Sequence, residues 1–424
     1  MQSQAYDVIV VGAGPAGLIA AGKAAIDGAR VAVIEKMEKP ARKLRITGKG
    51  RCNITNNKNY SDFFREITPN PKFLSKAFGS FFSQDIITLL EKQGVKTIVE
   101  RGQRVFPKSG KAWDVANAIE RWAIKQGVEI ILKSKVTQII QKGNKVSEVA
   151  VVNADKKRIM YAAKSVVIAT GGKSYPATGS TGDGYQLAQE LGHTITHLRP
   201  SLTGLETHPR IPKAKGLTLK NVETFLVSNN NVIAKEFGEV ELTEYGLDGP
   251  SILKLSLKAI DEFTSGNEVK ICLDLKPALD EVKLDKRILR DINQPGYNSC
   301  EKLIRGLVPQ QLVEYITSKM GTNSKMHASQ LTAAERKKLI KTLKELTFTM
   351  TGYRGWSEAI VTAGGISQEE IDSNTMQSKK VKGLFFSGEI IDVSGNTGGY
   401  NLQIAFSTGW LAGKSAANYA RSAT

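Results

Sequence analysis

"DVIVVGAGPAGLIAAGKAAIDGARVAVIEK", residues 7–36, decides the fold. A short β-branched run, Val8 to Val11, leads straight into GAGPAG, an alanine-rich stretch ending at Gly28, and a second apolar run that closes on an acid. Strand, glycine turn, helix and strand within about thirty residues make a βαβ unit. Gly12 permits the tight turn, Gly14 lets a pyrophosphate approach the backbone, and Gly17 lets helix and strand pack closely. The helix N-terminus then supplies amides and a positive dipole end to phosphates. Glu35 stands where an acid accepts hydrogen bonds from a ribose diol, which disfavours a 2′-phosphate.

The next stretch, "ITGKGRCNITN" (residues 46–56), is unlike a core: two glycines, two cations, a cysteine and short polar residues. Three readings stay open on its residues alone. It is a phosphate-cradling loop, a basic nucleic-acid contact, or a redox site on Cys52, although no second cysteine lies nearby and a backbone or packing role for Cys52 is favoured.

Helices are expected over residues 83–94, with Ser83 as N-cap, and 111–127, each with an apolar face and a terminal glycine. The runs VEIIL, KVTQII, KVSEVAVVN and RIMYAAKSVVIAT then read as an antiparallel meander before a last buried strand, Val166 to Thr170. Past "ATGG", Asp183 lies near the start of a short helix, Tyr185 to Leu191. The glycine spacing there is wrong for a second dinucleotide fingerprint, so no separate nicotinamide-binding unit is expected. Alternating strands and turns from Leu198 point to a β barrel or sheet, and residues 276–346 read as helical. The tail returns to α/β text, with a strand ending at Ser387, the pair Gly398 and Gly399, and a helix from about Leu402. This order predicts an α/β fold: a Rossmann-like domain with a meander (1–197 and 350–424), interrupted by a β-rich insertion (198–275, with 346–357 as a possible completion) and a helical one (276–345).

Composition narrows the function. The 424 residues are 41% hydrophobic and carry a formal net charge of +18. That charge fits a nucleic-acid partner, an acidic substrate or cofactor, or a soluble basic surface. The cations are spread along the chain and no basic stripe with interleaved aromatics occurs, so a solvated surface is favoured over nucleic acid. Three scattered cysteines and four histidines offer neither a disulfide framework nor a metal site. His193 and His197 are assigned structural or solvent-facing roles. No leader and no membrane span is read, which points to the cytoplasm.

Taken together, "RKLRITGKGRCNITN", "RVFPKSGKAWDV", "GEVELTEYGLDGP", "VTAGGI" and "GLFFSGEIIDVSGNTGGYNLQ" resemble the HI0933-like flavoprotein family, with its aminoacetone oxidase and bile-acid dehydro-reductase relatives. The resemblance implies the two-dinucleotide FAD-binding fold of glutathione-reductase type over nearly the whole chain. It implies that Gly12, Ala13, Gly14, Pro15 and Ala16 bind the FAD pyrophosphate and that Glu35 and Lys36 flank the adenosine ribose. Lys43, Thr47, Gly48, Gly50, Arg51, Cys52 and Asn53 would lie along the pyrophosphate, ribityl chain and flavin edge, with Val136 presenting backbone to adenine. Ala169, Thr170 and Gly171 would close over the adenosine half, while Gly388, Glu389 and Asp392 reach the ribityl and phosphate region. Gly399, Tyr400, Asn401 and Leu402 would start a helix facing the flavin's pyrimidine end. Lys49 stands where the family usually has glycine and Thr47 where it has serine. Glu244 and Asp248 replace its usual histidine and serine, which leaves the substrate open.

The implied activity is that of an FAD-dependent oxidoreductase acting on a small organic substrate, by enone reduction or by oxidation of an amine or aminoketone. NADH, NADPH or oxygen would serve as transient redox partner. An RNA-binding or RNA-modifying flavoprotein, or a non-catalytic FAD scaffold, is the alternative. Tyr245, Tyr175, Tyr400 and Arg104 are candidate catalytic groups by motif position. The oligomeric state is not specified by any of these features.

Overall fold

The computed structural model describes residues 5–294 and 296–423, and the chain divides into two compact units, Met1–Pro200 with Ile360–Thr424, and Ser201–Ala359. In the first, a seven-stranded sheet runs in the order Glu129–Ile131, Val31–Ile34, Ala5–Val11, Arg158–Ile168, Lys145–Val152, Lys135–Lys142, with Leu384–Phe386 also paired to Arg158–Ile168. The strands Ala5–Val11, Val31–Ile34, Glu129–Ile131 and Leu384–Phe386 join by parallel pairing, with Ile9 between Ala32 and Val166. Val8, Ile9 and Val10 are fully buried, so this central strand reads as a continuous apolar run rather than an alternating one.

Two local expectations are corrected here. The VEIIL run is not part of the meander; Glu129–Ile131 extends the parallel edge beside Val31–Ile34. The meander's last strand and the buried strand are one element, Arg158–Ile168, whose first half pairs antiparallel with Lys145–Val152 and whose second half pairs parallel with Ala5–Val11. Periodicity marks a strand but not its partner. Ser83 is not the helix cap either. It is the first residue of Ser83–Lys92, and the Asp85 carboxylate caps the turn by accepting from the Phe82 amide at 2.7 Å.

The last helix, Tyr400–Ser422, lies against Pro15–Ile26 through glycine faces. A Cβ at Gly409 would sit 2.4 Å from the Ala16 carbonyl oxygen, and one at Gly413 2.1 Å from that of Ala20. The small residues along this helix therefore bring it onto the glycine-turn helix at backbone distance.

The second unit is a closed antiparallel barrel of Leu205–His208, Gly246–Asp248, Asn231–Leu242, Thr218–Ser228, Val269–Asp274 and Leu346–Tyr353. Its helices share the barrel's core: Leu284, Leu303, Leu312 and Leu339 are buried with Leu205, Leu247 and Ile271. No helix among the described residues is long and apolar enough to cross a membrane.

Candidate functional site

At the carboxyl ends of Ala5–Val11 and Val31–Ile34 a cavity opens, lined by Gly12, Glu35, Lys36, Val136, Thr170 and Asp183 among others. The three fingerprint glycines do different work there. Gly12 has φ +100°, and a Cβ on it would press to 2.8 Å from the Ala169 carbonyl; one on Gly17 would stand 1.9 Å from the Gly12 carbonyl. Gly14 is unlike both: its φ is −73°, and a Cβ there would meet nothing nearer than the Ala169 oxygen at 3.9 Å. The space before Gly14 is open. Helix Pro15–Ile26 begins just behind it with no side-chain cap and no acid in its first turn, so its leading amides are left for an anion. These residues fit a pyrophosphate.

Glu35 sits at the cavity with its carboxylate accepting from the amides of Ala13 at 2.7 Å and Met37 at 2.9 Å. Burial pushes its carboxyl above the ordinary value, against the pull of those two amides. Beside it, Lys36 donates to Thr181 at 2.6 Å and to Asp183 at 2.9 Å, and Lys135 stands 3.2 Å from the same Asp183 oxygen. Burial alone would raise the Asp183 carboxyl, but the Thr181 hydroxyl and the two ammonium groups outweigh it and hold it at about 2. Ser134, Lys135, Gly179 and Asp183 line this cavity although the sequence reading did not place them in the site. The "GSTGDG" run, residues 179–184, where polar residues sit among glycines, is the signal that could have found Gly179 and Asp183.

The second group gathers around Glu389. Lys43 Nζ donates to Glu389 Oε2 at 2.9 Å and to the Ser174 hydroxyl at 2.6 Å; Ser174 and the Thr362 amide both donate to Glu389 Oε1 at 2.8 Å. Burial works to raise the Glu389 carboxyl, yet Lys43 and these hydrogen bonds leave it below its ordinary value. Gly388 beside it has φ +77°, and its amide donates to Thr408 at 2.9 Å. Asp392 accepts from Thr196 at 2.9 Å, and Gly171 holds φ +74°.

The third group is the loop. After helix Arg42–Ile46, the turn Thr47–Gly50 runs through two successive left-handed residues, Gly48 (φ +59°) and Lys49 (φ +55°), and Gly50 follows at φ +86°. For an L-residue such as Lys49 that conformation costs about 1–2 kcal/mol. The Thr47 hydroxyl donates to Leu44 O at 2.7 Å and the Cys52 amide to Thr47 O at 3.0 Å, closing the turn. Cys52 is fully buried, and burial pushes its thiol up to about 12. Asn53, with its amide oriented as its neighbours require, donates to Thr55 O and accepts from the Gly399 amide, each at 3.1 Å. Asn56 donates to Gly398 O at 3.0 Å. A Cβ on Gly399 would lie 2.5 Å from the Thr55 backbone, so the start of the last helix abuts this loop directly. Asn401 is bonded to the Gly395 backbone through both ends of its amide, at 2.8 and 2.6 Å, and Leu402 is half-buried on the same first turn.

The four candidate catalytic groups are differently placed. Tyr400 is a core residue, its ring 4.7 Å from that of Phe63. Tyr175 takes φ +52° ahead of the turn Pro176–Thr178. Arg104 is exposed on strand Arg104–Pro107. No hydrogen bond, ion pair or ring contact among the described residues joins these three to one another. Tyr245 belongs to the barrel unit, where its hydroxyl donates to Asp248 at 2.8 Å and the Arg354 guanidinium lies 4.7 Å over its ring. Burial and then Asp248 hold that phenol protonated, far above its ordinary value. Glu244 is exposed and ion-paired with Lys215. His193 is buried with Nε2 2.8 Å from the Ser378 hydroxyl, and His197 is exposed.

A glycine-turn βαβ unit, a meander and an inserted antiparallel barrel define a dinucleotide-binding protein of the flavoprotein oxidoreductase class. Residues 6–415 match the family described as HI0933-like protein Rossmann domain, and the chain belongs to this family of flavin-dependent oxidoreductases. It is 30% identical to the 3-dehydro-bile acid delta(4,6)-reductase of Clostridium scindens, over 96% of this chain and 98% of that one. It is 29% identical to the ribosomal RNA dihydrouridine synthase of Escherichia coli, over 96% of each chain. Among solved structures, 3-ketosteroid delta1-dehydrogenase from Sterolibacterium denitrificans shares the fold at 14% identity and a TM-score of 0.51, over 98% of this chain and all of that one.

Proposed function

We propose that this chain binds FAD and reduces a carbon–carbon double bond conjugated to a carbonyl. The observation that carries the cofactor is the open space before Gly14, at the uncapped start of Pro15–Ile26 and beside the Glu35 cavity. Bound there, FAD would supply the hydride chemistry. The chain's own part is to hold and orient it. The amides of Gly14 and Ala16 take the pyrophosphate, on a turn shaped by Gly12, Ala13 and Pro15 whose own nitrogens are engaged or carry no hydrogen, and Glu35 takes the ribose diol. The first amides of Tyr400–Ser422, kept in place by Asn53, offer a positive helix end to charge on the flavin's pyrimidine edge. The remaining loop, strand-end and Glu389-region residues line the cofactor between these ends.

The reaction class rests on chemistry shared by both relatives. A bile acid delta(4,6)-reductase and a dihydrouridine synthase each saturate a double bond conjugated to a carbonyl, and neither name describes amine oxidation. NADH or NADPH as transient reductant fits a chain with a single dinucleotide fingerprint. A small unsaturated ketone is the first substrate reading. A second places the double bond in an RNA base, and one observation favours it. The first unit carries 36 Lys and Arg against 21 Asp and Glu and the second 23 against 20, so +15 of the +18 lies on the unit that holds the candidate cofactor site.

The test is anaerobic bleaching of the bound flavin by NADH and by NADPH, then reoxidation by unsaturated ketones or by uridine-containing RNA followed by mass analysis. Reoxidation with gain of two hydrogens in the acceptor supports the proposal. A chain that takes up no FAD, or a reduced flavin that only oxygen reoxidises, overturns it.

A further inference from the structure

Four cations share one exposed face of the first unit: Lys49, Arg51, Arg101 and Arg104. The guanidinium groups of Arg51 and Arg104 lie over the same Phe106 ring, 4.4 and 5.9 Å from its centroid. Arg104 Nε donates to the Arg101 carbonyl at 3.0 Å, and the Arg51 amide donates to Gly48 O at 3.1 Å, which ties the Lys49 turn to the group. One carboxylate answers them, Glu100, paired with Arg51. Lys49, Arg101 and Arg104 have no ion pair among the described residues.

We infer that these four cations are a phosphate-contact rim for an RNA substrate, an inference that rests on the RNA reading above. Three observations support it. The rim is one short strand away from the candidate site: the Asn56 side chain bonds both Gly102 O, in the arginine turn, at 3.1 Å and Gly398 O, at the start of the last helix, at 3.0 Å. An exposed lysine is held at φ +55° between two glycines, at a position where glycine would be unstrained and where its ammonium has no hydrogen-bond or ion-pair partner among the described residues. The charge also has the right multiplicity. A single carboxylate on a small substrate needs one cation, whereas four cations against one acid, three of them guanidinium groups able to grip phosphate bidentately, match successive phosphodiesters. The +15 carried by this unit supplies the long-range attraction.

The experiment measures binding of flavin-loaded protein to a fluorescent uridine-containing RNA hairpin by anisotropy, from 50 to 200 mM salt. Lys49→Gly is expected to keep the melting temperature at or above that of the wild type while weakening binding severalfold. The triple variant K49G/R101Q/R104Q is expected to lose about tenfold or more and to flatten the slope of log affinity against log salt by about two. Flavin content and NAD(P)H bleaching are measured on every variant, and RNA affinity is compared per flavin-loaded molecule, so that a loss of cofactor is told apart from a loss of phosphate contacts. A charge-loss control in the meander turn, K142Q/K145Q, should keep most of the affinity. If the wild type shows no salt-dependent RNA binding, the RNA reading itself fails. If the wild type binds and the triple variant binds equally well, or the meander control loses as much, the rim is wrong and the RNA reading stands.

Discussion

Lys43 and Glu389, 346 residues apart in sequence, are joined by an ion pair of 2.9 Å, with Ser174 bonded to both. The pair pins the helix after the second strand to the turn after Leu384–Phe386, two stretches that the sequence marks only as separate cofactor contacts. With both side chains about one-fifth exposed, removing one partner leaves a largely buried charge unanswered. Lys43→Met should therefore cost about 3 kcal/mol in urea unfolding, and K43M/E389Q should recover part of that loss. A cost for K43M below about 1 kcal/mol would show that the pair is solvated and not structural.

Gly14 and Gly17 make opposite demands, which separates binding from folding. A side chain at Gly14 has room, since its backbone is extended and the nearest atom to a Cβ is 3.9 Å away; at Gly17 the Cβ would meet the Gly12 carbonyl at 1.9 Å. Gly14→Val should thus fold with a melting temperature near wild type yet take up no flavin, whereas Gly17→Ala should lose about 3 kcal/mol of stability. The absorbance of bound flavin and a thermal melt on both variants decide this, and a flavin-replete G14V would remove the pyrophosphate assignment.

The βαβ unit was legible because each of its signals is local: a β-branched run, glycines at fixed spacing, an acid at a strand end. The barrel and the helical run were legible as element types for the same reason. What periodicity could not supply was partnership. Nothing within VEIIL says that it pairs parallel with Val31–Ile34, and nothing within Arg158–Ile168 says that one strand serves two neighbours. The same limit applies to the site. Lys43, Glu389, Lys36 and Asp183 each carried a visible charge, but which cation answers which carboxylate is fixed by tertiary contacts more than a hundred residues apart in sequence.

Asp183 gives the pH dependence a sign. Its carboxyl is held at about 2 in the folded chain, against about 3.9 for an unperturbed aspartate. A depressed folded value means that its stabilisation is fully present above about pH 4 and is lost as the pH falls through about 2. The group is partly solvated, so after screening the contribution is on the order of 1 kcal/mol. Asp183→Asn should be less stable than wild type by that amount at pH 7, and the gap should narrow between about pH 4 and pH 2.5. Denaturant titrations at several pH values test this; a gap that is constant down to pH 2.5 would place the stabilisation elsewhere.

Cys52 settles whether the loop beside the candidate flavin edge is a redox element. Its sulfur is fully buried, no second cysteine contacts it, and burial pushes the thiol up to about 12, so the group stays protonated at pH 8. Reaction with a disulfide reagent should leave Cys52 unmodified in the native chain and modify it once the chain is unfolded. Cys52→Ala should keep flavin reduction by NAD(P)H within about twofold, because both φ +61° and the hydrogen bond from the Cys52 amide to Thr47 belong to the backbone. Peptide mapping that finds rapid native labelling at Cys52, together with a tenfold slower flavin reduction in the alanine variant, would make the cysteine a participant in the chemistry.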